Sequence, residues 1–165
     1  MTARTTLLRL SDDDLAAEYS WDFHKTTGNG GQKKNKTSSA VRVFHQPTGL
    51  SAVCDRERSQ KMNRKGALHK LRIIIALTQR EPFVPDRIPE LCGSAAALTS
   101  PRYPAFAAGL LDAIAECGWE PEAACTLLDW SKSHLFKIIG RDPALGAVIN
   151  REREKRSKSF LHFCS

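Results

Sequence analysis

Two glycines and a glutamine, Gly30-Gly31-Gln32, sit in a polar stretch from Lys25 to Thr37 that also contains Gly28 and several lysines. A residue without a β-carbon admits positive φ and lets the main chain come close to another surface. Gln32 adds a neutral side-chain amide beside its own backbone N–H, whereas a Glu or Lys there would be costly to desolvate in a buried pocket. Donors of this kind, held ready where negative charge develops, contribute about 10²–10³ in rate. Lys33, Lys34 and Lys36 follow directly, with Lys25 and Asn35 beside them, and are candidate phosphate contacts. His45, His69, His134 and His162 show no triad or metal spacing, so neither a metal nor a cofactor is expected.

The flanking sequence supplies elements to hold this loop. Ser11 with Asp14 three residues on is a capping box that predicts a short helix through about Tyr19. Asp12, Asp13 and Asp14 suit the positive end of that helix and need no catalytic role. Ala40–His45 alternates as a strand, Gln46-Pro47-Thr48-Gly49 has the residues of a type I turn, and Leu50–Cys54 returns as the second strand of a hairpin. Ser59 is a plausible N-cap for a helix to about Thr78, with Met62, Leu68, Leu71 and Ile75 as its buried stripe. Lys61, Lys65 and Arg72 share another face, with Arg64 beside them. The face reads either as a solvated surface or, given the lack of compensating acids, as a phosphate-binding one.

The segment from Thr27 to Arg42, with Pro47-Thr48-Gly49, Arg58-Ser59-Gln60 and Asn63 following in order, resembles the catalytic domain of class I peptide chain release factors. The resemblance covers roughly residues 20–80. It implies hydrolysis of the ester between peptide and tRNA in the large ribosomal subunit. Gly30, Gly31 and Gln32 would be the catalytic residues, the Gln32 N–H stabilising charge on the leaving ribose oxygen while its side chain helps position water. It further implies contacts of Lys25, Lys33, Lys34, Asn35, Lys36, Arg58, Lys61, Arg64, Lys65 and Arg72 with ribosomal RNA or tRNA. The family motif has no catalytic histidine at the place of His24, which is read as a hydrogen-bonding or RNA-contact residue. About twenty residues precede the resemblance, so a codon-independent factor that rescues stalled ribosomes is expected rather than a stop-codon reader. Intact stalled ribosomes and separated large subunits are both open as its target. A non-catalytic RNA- or DNA-binding protein on the same scaffold is the alternative.

Charge agrees with that placement. The 165-residue chain has a formal net charge of +7, and residues 24–80 hold 13 Lys/Arg against Asp55 and Glu57 alone, a local balance of +11. Hydrophobic content of 41% suffices for a core and argues against wholesale disorder. Five scattered cysteines without a C-x-x-C pair read as reduced thiols. No apolar run approaches the ~18 residues of a membrane span, so a cytoplasmic protein, monomeric off the ribosome, is expected.

The fold expected is α+β: a small sheet or hairpin packed on a long helix (residues 1–80), a proline-rich linker (81–103), and a small all-α module (104–165). Within the module, residues 121–141 resemble a helix-turn-helix, a type common in DNA readers, whose second helix would expose Lys132, Ser133, His134 and Lys137, with Arg141 just beyond. Arg151, Arg153, Lys155, Arg156 and Lys158 form a basic tail that could enter an empty mRNA channel. It is interrupted by Glu152 and Glu154, and Glu152–Arg156 is equally readable as an ordinary helix pair.

Overall fold

A computed structural model describes residues 4–9, 18–24, 39–85 and 97–163. It is an α+β chain: a three-stranded antiparallel sheet and a long helix, then several shorter helices. The chain divides into two compact units, residues 1–75 and 76–165.

In the first unit the described elements are α1 (Arg4–Arg9), β1 (Tyr19–His24), β2 (Ala40–His45), β3 (Leu50–Cys54) and all but the last three residues of α2 (Gln60–Thr78). The sheet order is β1-β2-β3, with β2 central. The expected capping-box helix falls largely on residues outside those described, but Tyr19, placed at its end, instead opens β1. Its alternation was present in the sequence: Tyr19, Trp21 and Phe23 lie on one face, Ser20, Asp22 and His24 on the other. The β2–β3 hairpin has the expected bounds. Gly49 closes it at φ +69°, where a side chain would be strained, and its N–H donates to the His45 carbonyl at 3.0 Å. His45 is buried between the Thr48 hydroxyl at Nδ1 (2.8 Å) and the Glu18 carboxylate at Nε2 (3.2 Å), so it braces the turn end of the sheet.

Val41, Val43, Ala52 and Cys54 make the buried face of the sheet, and Ala67, Leu68, Leu71 and Ile75 are buried along α2. Full burial of one such large aliphatic side chain stabilises by about 1.5–3 kcal/mol. Met62, expected in this stripe, is 53% exposed. The first turn buries a polar residue, Asn63, in its place. Gly66 marks close helix–sheet approach, since a β-carbon there would lie 2.8 Å from Cys54 Sγ.

The second unit contains α3 (Tyr103–Glu116), α4 (Pro121–Leu128), α5 (Lys132–Arg141) and α6 (Pro143–Glu154). Its core is Leu110, Leu111, Ile114, Leu128, Leu135, Ile139, Leu145 and Ile149, all fully buried. Ile138 and Val148 are buried beside it, while the apolar Leu127 is only half-buried. Gly118 and Trp119 both adopt φ +64° after α3, and this left-handed pair reverses the chain into α4. Gly140 does not end α5. The helix runs on to Arg141, and Asp142 closes α5 while capping α6 through the Ala144 N–H at 3.0 Å. Tyr103 donates its hydroxyl to the same carboxylate. Burial first, then this hydrogen bond, pushes the phenol far above its ordinary range. Glu81, inside the expected linker, donates its N–H to the buried Asp112 carboxylate at 3.3 Å.

Candidate functional site

Gly30, Gly31, Gln32, Lys25, Lys33, Lys34, Asn35 and Lys36 lie outside the described residues. The chain leaves β1 at His24 and returns at Ala40, and these two residues are partners in the antiparallel ladder. His24 and Ala40 form the end of the β1–β2 pair opposite the His45 brace.

The returning root is fixed by one side chain. Asn63 is fully buried, and its Nδ2 donates to the Ser39 carbonyl at 2.7 Å and to the Glu57 carbonyl at 2.8 Å. Its Oδ1 accepts from the Glu57 N–H at 2.9 Å and, at 3.5 Å, from the Cys54 thiol. All the hydrogen-bonding capacity of the amide is thereby used within four short segments of chain. The residue just after the candidate loop, the end of β3, the approach to α2 and α2 itself meet at this point. Asparagine meets this need because it both donates and accepts, whereas aspartate would set a charge against two carbonyls. Sequence alone placed Asn63 in the motif, but not in this role.

The basic residues gather at the same end of α2. Arg58, Lys61, Arg64 and Lys65 are exposed, and Arg72 is half-buried two turns on. Arg64 lies 4.3 Å over the Trp21 ring, a cation–π contact that holds its guanidinium beside β1. The first turn of α2 contains no acidic residue, leaving its partial positive charge uncompensated. His24 and Asp22 approach at 4.0 Å on the exposed edge of β1. Among the described residues no group of three His, Cys, Asp or Glu could hold a metal. Burial pushes the Cys117 and Cys125 thiols up, which disfavours the nucleophilic thiolate at either.

The basic tail is a different case. Arg151, Arg153 and Glu154 are still in α6, and the chain beyond folds back on the helices. Arg153 is buried, donating from Nη1 to the Trp119 carbonyl (2.7 Å) and Glu120 (2.6 Å), and from Nε to the Ser159 carbonyl (2.9 Å). Lys158 donates to the Gly118 carbonyl at 2.8 Å and to Glu120 at 2.7 Å. Lys155 and Arg156 both pair with Glu152, at 2.6 and 2.9 Å. Lys158 and then Arg153 hold the Glu120 carboxyl below its ordinary range, and Lys155 chiefly does the same for Glu152. Asn150 pins Leu161 through both its N–H and its carbonyl, each at 2.9 Å. Of the two readings of this stretch, the Glu152–Arg156 helix pair is present, and four of the five cations are engaged within the unit, because Glu120 and Glu152 lie within their reach.

Comparison with known proteins bears on the loop-bearing segment. The family model described as the RF-1 domain matches residues 11–86. That stretch is similar to the class I release-factor domain that contains the Gly-Gly-Gln motif. Among curated relatives, peptide chain release factor 2 of Helicobacter pylori (strain ATCC 700392 / 26695) is 42% identical over 66 residues, which are 37% of this chain and 18% of that protein. Peptide chain release factor 2 of Campylobacter fetus subsp. fetus (strain 82-40) matches to the same extent. The chain therefore spans about a fifth of the length of these relatives. No helix among the described residues is long and apolar enough to cross a membrane.

Proposed function

We propose that this protein hydrolyses peptidyl-tRNA in the large ribosomal subunit, releasing nascent chains from stalled ribosomes without reading a stop codon. The observation that carries the reading is Gly30-Gly31-Gln32 inside a segment that matches the RF-1 domain. The segment that matches the RF-1 domain, residues 11–86, contains the loop, which supports ester cleavage over codon reading.

In the reaction, a water oxygen bonds to the ester carbonyl carbon and the bond from that carbon to the ribose oxygen breaks. The ribose oxygen takes up a proton, leaving a free peptide acid and deacylated tRNA. The Gln32 N–H donates to the oxygen as charge builds on it, and the side-chain amide orients the water. Gly30 and Gly31 let the backbone come close enough to do so. Asn63 acts as a positioning residue: by holding Ser39 it sets where the loop rejoins the sheet. Arg58, Lys61, Arg64, Lys65 and Arg72, with Lys25, Lys33, Lys34, Asn35 and Lys36, contact RNA phosphates.

A peptide-release assay on ribosomes stalled without a stop codon, and in parallel on isolated large subunits, tests this. Gln32→Pro removes the backbone donor and is expected to slow release by about 10²–10³ at saturating protein. Release by Gln32→Pro at the wild-type rate, or none by the wild type on either particle, would overturn the reading.

A further inference from the structure

The release chemistry leaves one built feature unused, the exposed face of α5. Helices α4 and α5 are eight and ten residues long and are joined by Asp129-Trp130-Ser131. Asp129 takes the left-handed conformation (φ 54°, ψ 43°) that a glycine often supplies in such a turn. Ser131 then caps α5 by accepting the His134 N–H at 3.2 Å. Ala124, Cys125, Leu128, Leu135 and Ile138 are buried on the inner side of the pair. This combination of helix lengths, turn and buried positions is that of a helix-turn-helix, in which the second helix is presented outward.

On α5 the outward residues are polar and cationic. Ser133, Lys137 and Arg141 follow at intervals of four and form one exposed stripe, with His134 beside it. Trp130 meets the His134 ring edge-on at 5.0 Å and steadies it. No carboxylate occurs in α5, and the nearby Glu122 is taken by Lys132. The stripe therefore presents an uncompensated positive surface, unlike Arg153 and Lys158 in the same unit.

We infer that this stripe binds the phosphate backbone of double-helical RNA. Serine, lysine and arginine are the usual donors to phosphate. A partner recognised by backbone and shape is what structured RNA offers. The choice of RNA over DNA rests on the ribosomal reading above, while the anion-binding stripe itself does not.

Fluorescence anisotropy with the full chain tests the inference, using an RNA hairpin and a DNA duplex of matching sequence. The variants are Lys137→Ala/Arg141→Ala, and the same pair on a Lys61→Ala/Lys65→Ala background that silences the basic face of α2. The α5 pair is expected to weaken hairpin binding about tenfold or more in both backgrounds. It should also lower the salt dependence of the affinity by about two phosphate contacts. Both residues are exposed, so an unchanged circular dichroism melt accompanies the loss. DNA binding as tight as RNA binding, or hairpin affinity unmoved by the α5 pair, overturns the proposal. Hairpin binding is measured without ribosomes or peptidyl-tRNA, so a failure of the release reading is seen separately from a failure here.

Discussion

Two basic stretches of similar appearance are put to opposite uses. Around the start of α2, Arg58, Lys61, Arg64 and Lys65 are exposed, and the preceding strands and the helix's first turn bring few acids near them. After α6, Arg153, Lys155, Arg156 and Lys158 are drawn onto Glu120 and Glu152. A count of lysines and arginines rates the two as equals. The difference teaches that a cation's availability depends on whether the fold sets a carboxylate within about 4 Å of it, a matter of tertiary placement.

The comparison breaks most sharply at Arg153. Arg153→Ala should destabilise the helical unit by about 3 kcal/mol, at the lower end for a broken buried ion pair because Glu120 is part-solvated. Urea unfolding followed by circular dichroism measures this, and a change under about 0.5 kcal/mol, as for an ordinary surface site, would return the tail to the class of free basic segments. The first unit has its counterpart in Asn63. Asn63→Ala strands the Ser39 and Glu57 carbonyls and the Glu57 N–H, at a cost of about 1–3 kcal/mol. Its additional mark should be a lower maximal release rate with half-saturation unchanged, and loss of stability alone would make Asn63 a core residue and nothing more. The smallest effect tests availability directly. Lys61→Ala/Lys65→Ala should weaken ribosome binding about tenfold in a pelleting assay, while Lys155→Ala/Arg156→Ala should leave it within about twofold. Equal losses from the two pairs would erase the distinction drawn here.

Where the sequence was legible, local chemistry was the reason. The β2–β3 hairpin, the span of α2 and the α4–turn–α5 pair all follow from short-range signals: alternation, turn residues and caps. Strand β1 was missed although Tyr19, Trp21 and Phe23 alternate with polar residues, because the acidic run before it competed as a helix start. Met62 and Asn63 exchanged expectations for a physical reason. A periodic stripe ranks residues by apolarity, yet the first turn of α2 faces the ends of other segments, where backbone groups need partners more than methyl groups need burial. A glycine such as Gly140 is a common helix stop, but here Asp142 gives α6 its cap and α5 its end two residues later.

The Gly30-Gly31-Gln32 motif and its companions from Thr27 to Asn63 needed no coordinates to be identified, because chemistry that relies on a bare backbone and one amide leaves its mark in residue type and order. The sequence by itself therefore determined the family that the loop-bearing segment resembles and the bounds of its hairpin and long helix. Tertiary structure alone decided that Asn63 clamps the root of that segment, that the tail folds back onto Glu120 and Glu152, and that the α5 stripe stays uncompensated. Those outcomes depend on groups far apart in the chain, such as Ser39 with Asn63 and Glu120 with Arg153, and which distant groups meet is set by packing.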